Sequence, residues 1–281
     1  MPIIAIIGAG PVGGALAHKL AARSRVAEVR LVDPEGPVAR GKALDILQAG
    51  PVEGFGTLVS AEETNLAAAG ADVIVLADSV AGVEHAGDTG LATVRRLVAA
   101  GAAGPIVFAG AAQRQLMSRC VTELHLPPAR LIGSAPMALA SALRALSAVV
   151  LDGSAVEISL TVVGVPPSHT VVAWQEATVS GQPLPGVMAA HEIAMLSGRI
   201  NGLWPPGPYT LASAAARVAE ALCSGSRRQY SCFVDLGRGR IAAMPVELKR
   251  GGLGRILEPV LTSQERTAFE TALAADEPVR R

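Results

Sequence analysis

The apolar run Ile3-Ile4-Ala5-Ile6-Ile7 passes directly into Gly8-Ala9-Gly10-Pro11-Val12-Gly13. A buried strand that turns through Gly-x-Gly-x-x-Gly into a helix is the opening of a dinucleotide-binding unit. Gly8 permits the tight turn, Gly10 lets backbone approach a pyrophosphate, and Gly13 lets the helix pack on the strand. The helix, from Pro11 through Val12 to about Ala22, aims free N–H groups and a positive dipole end at the phosphates. A second short strand, Val29–Val32, ends at Asp33, about 20 residues beyond Gly13. An acid there accepts hydrogen bonds from the adenosine ribose hydroxyls, which favours NAD and repels the 2′-phosphate of NADP. Gly8, Gly10, Pro11, Val12, Gly13 and Asp33 are therefore the predicted cofactor-binding set. On its own, Asp33 also reads as a loop or cap acid before Pro34.

Composition narrows the partners. The 281 residues carry 24 basic and 24 acidic side chains, which leaves no electrostatic footprint for nucleic acid or an anionic membrane. Aromatic residues make up 3%, too few for stacking platforms. Hydrophobic residues reach 50% against 17% charged, a surplus that predicts a subunit interface, as a homodimer or homotetramer, besides a core. The N-terminal apolar run stops at Gly8 and reads as a buried strand, not a signal peptide. Leu97 to Ala112 is interrupted by Gly101, Gly104 and Pro105, and is too short to cross a bilayer. Cys120, Cys223 and Cys232 fit neither a disulfide framework nor a zinc site. A cytoplasmic protein with buried thiols is expected.

Two patterns follow one another along the chain. Strands at Ile3–Ile7, Val29–Val32, Asp72–Leu76, Ile106–Ala109 and Arg130–Ile132 alternate with helices at Pro11–Ala22, Val38–Ala49, Leu91–Ala100 and Gln113–Leu124. That alternation predicts a parallel sheet wound on both faces. Leu139–Leu151 reads as a long apolar helix joining the halves. Beyond it lie longer strands at Val156–Val163, Val171–Val179, Gln229–Leu236 and Arg240–Leu248, with a hairpin at Gly237-Arg238-Gly239. Helices are expected at Gly186–Ile200, Tyr209–Leu222 and Ser263–Ala274. The predicted class is α/β: a Rossmann-type doubly wound parallel sheet at 1–135, with an α+β second domain at 136–281. Cofactor and substrate would meet in the crevice between them.

Several further segments resemble the lactate/malate dehydrogenase family. Gly41-Lys42-Ala43-Leu44-Asp45 is similar to its Gly-x-Ala-x-Asp helix, and Ala71–Val75 to its fourth strand. Leu131-Ile132-Gly133 is similar to the end of its sixth strand. Gly164, Trp174 and Gly181-Gln182-Pro183-Leu184 keep the spacing around its catalytic loop. Gly251-Gly252-Leu253 through Leu261–Glu265 resembles its last strand and final helix. The resemblance implies NAD, a His acid/base held by an Asp, an Arg that clamps the substrate carboxylate, lid Arg residues and an Asn after the fifth strand. Carried over without gaps, the His position falls on Pro166, the Asp on Leu139 and the clamping Arg on Ala142. The Asn position falls on Gly110 and the lid Arg positions on Gly82 and Asp88. Every one of these positions is thus substituted, several by residues that cannot take the family's role in any protonation state; Pro166 has no proton to exchange.

Two histidines are candidate substitutes. His169 lies three residues beyond Pro166, and His85 sits on a lid that also carries Glu84 and Asp88. Arg144, two residues beyond Ala142, should face away from the site, since two helical residues turn about 200°. His18, His125 and His191 have no partner at ligand spacing, and no metal site is expected. Neither Ser141 nor Ser168 lies in a nucleophile elbow. Three readings follow. The first is an NAD(H)-binding protein of this family without ordinary 2-hydroxy acid dehydrogenase activity. The second is an NAD-dependent oxidoreductase acting on a non-carboxylate substrate through His169 or His85. The third is a scaffold or partner subunit that has lost the cofactor too, because Ser79 stands where the family has Gly and Asp78 precedes it, an acid that would crowd the phosphates.

Overall fold

The computed structural model describes residues 1–275. Its first half runs β1 (Ile3–Ile7), α1 (Pro11–Ala22), β2 (Glu28–Val32), α2 (Gly36–Glu53), β3 (Leu58–Glu62), β4 (Val73–Leu76), α3 (Gly87–Ala99), β5 (Ile106–Phe108), α4 (Arg114–Thr122) and β6 (Leu131–Gly133). These strands lie parallel in the order β3-β2-β1-β4-β5-β6. This is the doubly wound Rossmann order, with the reversal between β1 and β4. Helices cover both faces, so β1 and β4 are apolar along their whole length and not alternating. The sequence pattern missed β3. It is a polar edge strand, Leu-Val-Ser-Ala-Glu, with Leu58 exposed and only Val59 buried, so it carries neither an apolar run nor a clean alternation.

The second half runs α5 (Ala135–Val150), β7 (Ile158–Ser159), β8 (Val162–Val165), β9 (His169–Val172), β10 (Thr178–Val179), β11 (Gln182–Pro183), α6 (Ala190–Arg199), α7 (Pro208–Ser224), β12 (Ser226–Asp235), β13 (Ile241–Lys249), β14 (Gly252–Ile256) and α8 (Ser263–Ala275). Two expected strands are broken. Val156–Val163 divides because β7 joins β10 in a small separate sheet, while β8 pairs with β13 and β9 in the main one. Val171–Val179 divides at Trp174. There the backbone N–H donates to the Glu265 carboxylate (3.1 Å) and the indole N–H to Ser197 Oγ (2.8 Å). The β12–β13 hairpin forms as expected, closed by Leu236 N–H to the Arg240 carbonyl (2.8 Å). Its turn holds Gly237, Arg238 and Gly239 at φ of 110°, 60° and 79°; the two glycines adopt this without strain, and Arg238 sits in the left-handed region that other residues enter rarely.

The halves share one core. Among the described residues the main sheet has 11 strands, because β12 pairs with β6 where Phe233 meets Gly133. Leu211, Val218 and Leu222 of α7 are buried with Ile4, Ile6 and Leu16 of the first half. A second cluster gathers Leu139 and Leu143 of α5 with Val162, Trp174, Leu184 and Leu196. No helix among the described residues is long and apolar enough to cross a membrane. The seam is tight. A Cβ on Gly133 would lie 2.8 Å from Phe233 Cβ and 2.9 Å from Met117 Sδ, and the Phe233 ring stands edge-on to Trp204 at 6.2 Å. Phe233→Ala should therefore cost about 3–5 kcal/mol. Urea denaturation checks this; a loss within about 1 kcal/mol would mean that the seam does not hold the halves together.

Candidate functional site

In an open α/β sheet ligands lie beyond the carboxyl ends of the strands, at the point where strand order reverses. Here that crevice is formed by the ends of β1, β2, β4 and β5. The glycine turn enters it as expected. Gly8 sits at φ 111° and donates its N–H to the Val32 carbonyl (2.7 Å). A Cβ on Gly13 would strike the Gly8 carbonyl, so the close helix–strand packing needs this glycine. Gly10 also sits against a close neighbour, and that neighbour is protein. A Cβ on Gly10 would strike the Ser79 carbonyl and the Asp78 carboxylate.

Asp78 is buried at the N-terminus of α1. Its Oδ1 accepts the N–H groups of Val12 (3.0 Å) and Gly13 (3.0 Å), and Oδ2 that of Val12 (3.2 Å). The Gly10 N–H bonds the Asp78 carbonyl (2.9 Å). These are the free helix-end donors that a phosphate would take. Pro11, the first helical residue, has no N–H and is exposed. Asp33 is also turned inward, 1% exposed. Its Oδ2 accepts from Ala9 (2.9 Å) and Val80 (3.0 Å), and its Oδ1 from Glu35 (3.0 Å). Lys42 of α2 bonds the Ala9 carbonyl (2.6 Å) and is the cation beside the turn.

The loop between β4 and α3 carries two more groups into the crevice. Glu84 accepts the N–H groups of Ala111 (3.0 Å) and Ala112 (2.8 Å) just past β5, against Gly110. Gln113 braces the same corner, accepting from Gly110 N–H (2.9 Å). His85 lies beside a largely apolar cavity of about 530 Å³ formed with Ile7, Val32, Leu66 and Thr93. Its Nε2 is buried without a hydrogen-bond partner. Burial lowers the His85 pKa, against the pull of Asp33, the Ile7 carbonyl and Asp78, while Arg96 lowers it further. No sequence pattern marks the placement of Glu84 or Lys42, because each acts on backbone groups far along the chain, and none marks Gln113, which bonds a backbone N–H three residues before it.

The positions assigned by resemblance are scattered in character. Leu139 is 0% exposed in the second core cluster. Pro166 is buried in the turn between β8 and β9, Ala142 is half-buried on α5, and Gly82 is an exposed turn residue at φ 74°. Asp88 is exposed and paired with Arg119 (2.8 Å). His169 opens β9 opposite Val165, with its side chain exposed. Arg144 bonds the Ala155 carbonyl (2.8 Å) and lines a separate polar cavity of about 400 Å³ with Ser141, Arg217 and Gln229. Burial pushes the Cys120 and Cys223 thiols up to about 12 and raises Cys232 as well, so none is an activated nucleophile. Among the described residues no group of three His, Cys, Asp or Glu side chains is placed to hold a metal. In this arrangement the crevice does not fit a dinucleotide. The helix-end N–H groups and Asp33 are engaged by the chain itself, and the Asp78 carboxylate carries a phosphate's sign of charge in a phosphate's place.

Residues 3–94 match the lactate/malate dehydrogenase NAD-binding domain. The malate dehydrogenase of Thermomicrobium roseum is 30% identical over 294 residues, covering 97% of this chain and 95% of that protein. That of Neorickettsia sennetsu is 27% identical over 97% of this chain and 96% of its own length. The first alignment is longer than the 281-residue chain, so this relative carries segments that the chain lacks. In fold, the chain superposes on the malate dehydrogenase of Aeropyrum pernix at a TM-score of 0.86 with 21% identity, covering 98% and 96% of the two chains. For the minor L-lactate dehydrogenase of Enterococcus mundtii the TM-score is 0.83 with 20% identity, covering 99% and 98%.

The burial of His85 has a consequence in solution. Its folded-state pKa lies below the ordinary 6.5, so on acidification the unfolded chain takes up the proton first. Stability held by the neutral ring is present above about pH 6.5 and is lost progressively below it. Between about pH 7 and pH 5 the urea midpoint of the wild type should fall more steeply than that of His85→Gln. Parallel curves for the two proteins would show that the ring titrates freely.

Proposed function

Since the chain belongs to the lactate/malate dehydrogenase family, and residues 3–94 match that family's NAD-binding domain, we propose that it is an NAD(H)-binding protein that does not turn over ordinary 2-hydroxy acids. Residues 1–135 serve as the cofactor unit and 136–281 as the second wall of the crevice. The observation that carries this reading is Leu139. At the place where the resemblance puts the His-orienting Asp, a leucine lies fully buried beside Leu143, Val162 and Trp174. A carboxylate there would be an unpaired charge in an apolar core. Pro166, at the place of the His, moves no proton, and Ala142 offers a carboxylate no fork of donors. The curated relatives are named for malate. Here malate would meet Glu84 near β5, an acceptor of the wrong charge.

A different substrate handled by His169 has less support, since that side chain is exposed at the start of β9. The assembly is read as a homodimer or homotetramer with α2 in the interface. Val38, Leu44, Leu47 and Val52 of α2 are 41%, 55%, 38% and 87% exposed, apolar surface that water does not favour. Three unpaired cysteines accord with a reducing cytoplasm.

Malate, lactate, oxaloacetate and pyruvate, assayed at saturating NAD or NADH, should give no turnover approaching about 1 per second, the low end for enzymes. The loss of proton transfer alone accounts for about 100- to 10,000-fold. A rate above that limit would sink this reading, and loss of that rate in His169→Ala would then support the altered-substrate one. For the assembly, light scattering at micromolar concentration should give at least twice the chain mass, and Leu44→Glu should lower it. A monomeric wild type would remove α2 from any interface.

A further inference from the structure

We propose that the β4–α3 loop, residues 77–86, is an internal plug of the dinucleotide cleft, with the Asp78 carboxylate standing in the pyrophosphate seat, and that NAD(H) enters only when this loop swings out. The inference rests on the NAD(H)-binding reading above. Three contacts carry it, spread across the mouth of the sheet. Asp78 takes the Val12 and Gly13 N–H groups. Val80 donates its N–H to Asp33 Oδ2, the acid placed for the ribose. Glu84 takes the Ala111 and Ala112 N–H groups at the other end, beyond β5. One loop thus engages the phosphate donors and the ribose acceptor, and continues to the far side of the crevice.

The contacts are of a kind that can be exchanged. The carboxylate contacts are hydrogen bonds to backbone ends, while Ala77 and Val80 pack on the core at the base of the loop; Ala81, Gly82 and Val83 at the tip are exposed. The tip is a tight turn, with Ser79 N–H on the Val83 carbonyl (2.9 Å) and Gly82 N–H on the Ser79 carbonyl (2.8 Å). Gly82 and Gly87 hold φ of 74° and 56°, so the loop has a glycine at its tip and another where it enters α3. A leaving carboxylate is replaced on the same N–H groups by a phosphate oxygen, with Lys42 beside the turn. If the loop is open only a fraction of the time, the apparent affinity for the cofactor falls by that fraction. An alternative is that Asp78 is only a helix cap. Gly10, the N-cap, has no side chain to serve, and Asp78 supplies one from outside. A cap and a plug differ in what its removal does.

Asp78→Ala should bind NADH at least ten-fold more tightly than the wild type by fluorescence titration, while melting at a lower temperature. A residue that only caps would lower stability and leave NADH binding unchanged or weaker. Asp78→Asn, which keeps the shape without the charge, should fall between. Glu84→Gln loosens the far end without touching the phosphate seat; it should also tighten NADH binding, and it serves if Asp78→Ala does not fold. Inorganic pyrophosphate, followed by calorimetry, separates the two readings. If Asp78→Ala gains affinity for pyrophosphate but neither protein binds NADH, the plug stands and the NAD(H) reading falls. If wild type and both variants bind NADH equally, the NAD(H) reading stands and the plug is overturned. If no variant gains affinity for either probe, the plug is overturned as well.

Discussion

A helix that begins at a strand end leaves N–H groups with no partner inside the helix, and something must accept them. At the start of α1 that acceptor is the Asp78 carboxylate, on Val12 and Gly13. Much of the crevice follows from this one arrangement. It draws the end of β4 over the glycine turn, so Gly10 must lack a Cβ because Ser79 and Asp78 lie against it. It brings the Val80 N–H onto Asp33, which buries the acid that the spacing assigns to a ribose. It also sets where the loop must travel next, to the Glu84 contact beyond β5 and then past His85 into α3.

The frame beneath is held by buried apolar packing, the loop above it mainly by hydrogen bonds. Helix α7, from the second half, packs on the sheet of the first, and Phe233 links β12 to β6 at Gly133. Breaking that packing exposes large buried side chains; breaking the loop contacts exchanges hydrogen bonds for hydrogen bonds with water or a ligand. Each such bond to a carboxylate is worth about 1.5–3 kcal/mol and can be replaced in kind by a ligand oxygen or water, whereas the packing of a buried aromatic has no such replacement. A crevice can therefore open or stay closed without strain reaching the sheet.

Most of the frame was legible in the sequence, and the reason is periodicity. β1 and β4 are unbroken apolar runs bounded by turns, α1 lies where the glycine pattern puts it, and the β12–β13 hairpin announces itself at Gly237-Arg238-Gly239. What periodicity could not reach was structure made by single contacts. β3 is polar because it lies at an edge. The strand around Trp174 breaks because Glu265 and Ser197 hold its backbone and indole from elsewhere in the chain. In the crevice the acids themselves, Asp33, Asp78 and Glu84, are plain in the sequence. Their partners are not, since backbone N–H groups leave no mark on the sequence.

The departures from the family pattern and the closed loop fit one another sterically. The resemblance puts an Asn at Gly110, but a Cβ on Gly110 would run into the Glu84 carboxylate. With Glu84 placed as it is on Ala111 and Ala112, position 110 has no room for a side chain. The resemblance puts a lid Arg at Gly82, yet that residue closes the turn between Ser79 and Val83 at a positive φ, where an arginine would be strained. The third departure, Asp78 ahead of Ser79, supplies the acceptor on which the turn is anchored. At Gly110 and Gly82 the residue that differs from the family pattern is also one that leaves room for a contact of the loop. Loss of catalytic side chains by drift would leave holes or unpaired donors. Here the donors at Val12, Gly13, Ala111 and Ala112 are all met by acids from one loop, so the substitutions are better understood together, as the sequence requirements of a crevice that closes on itself.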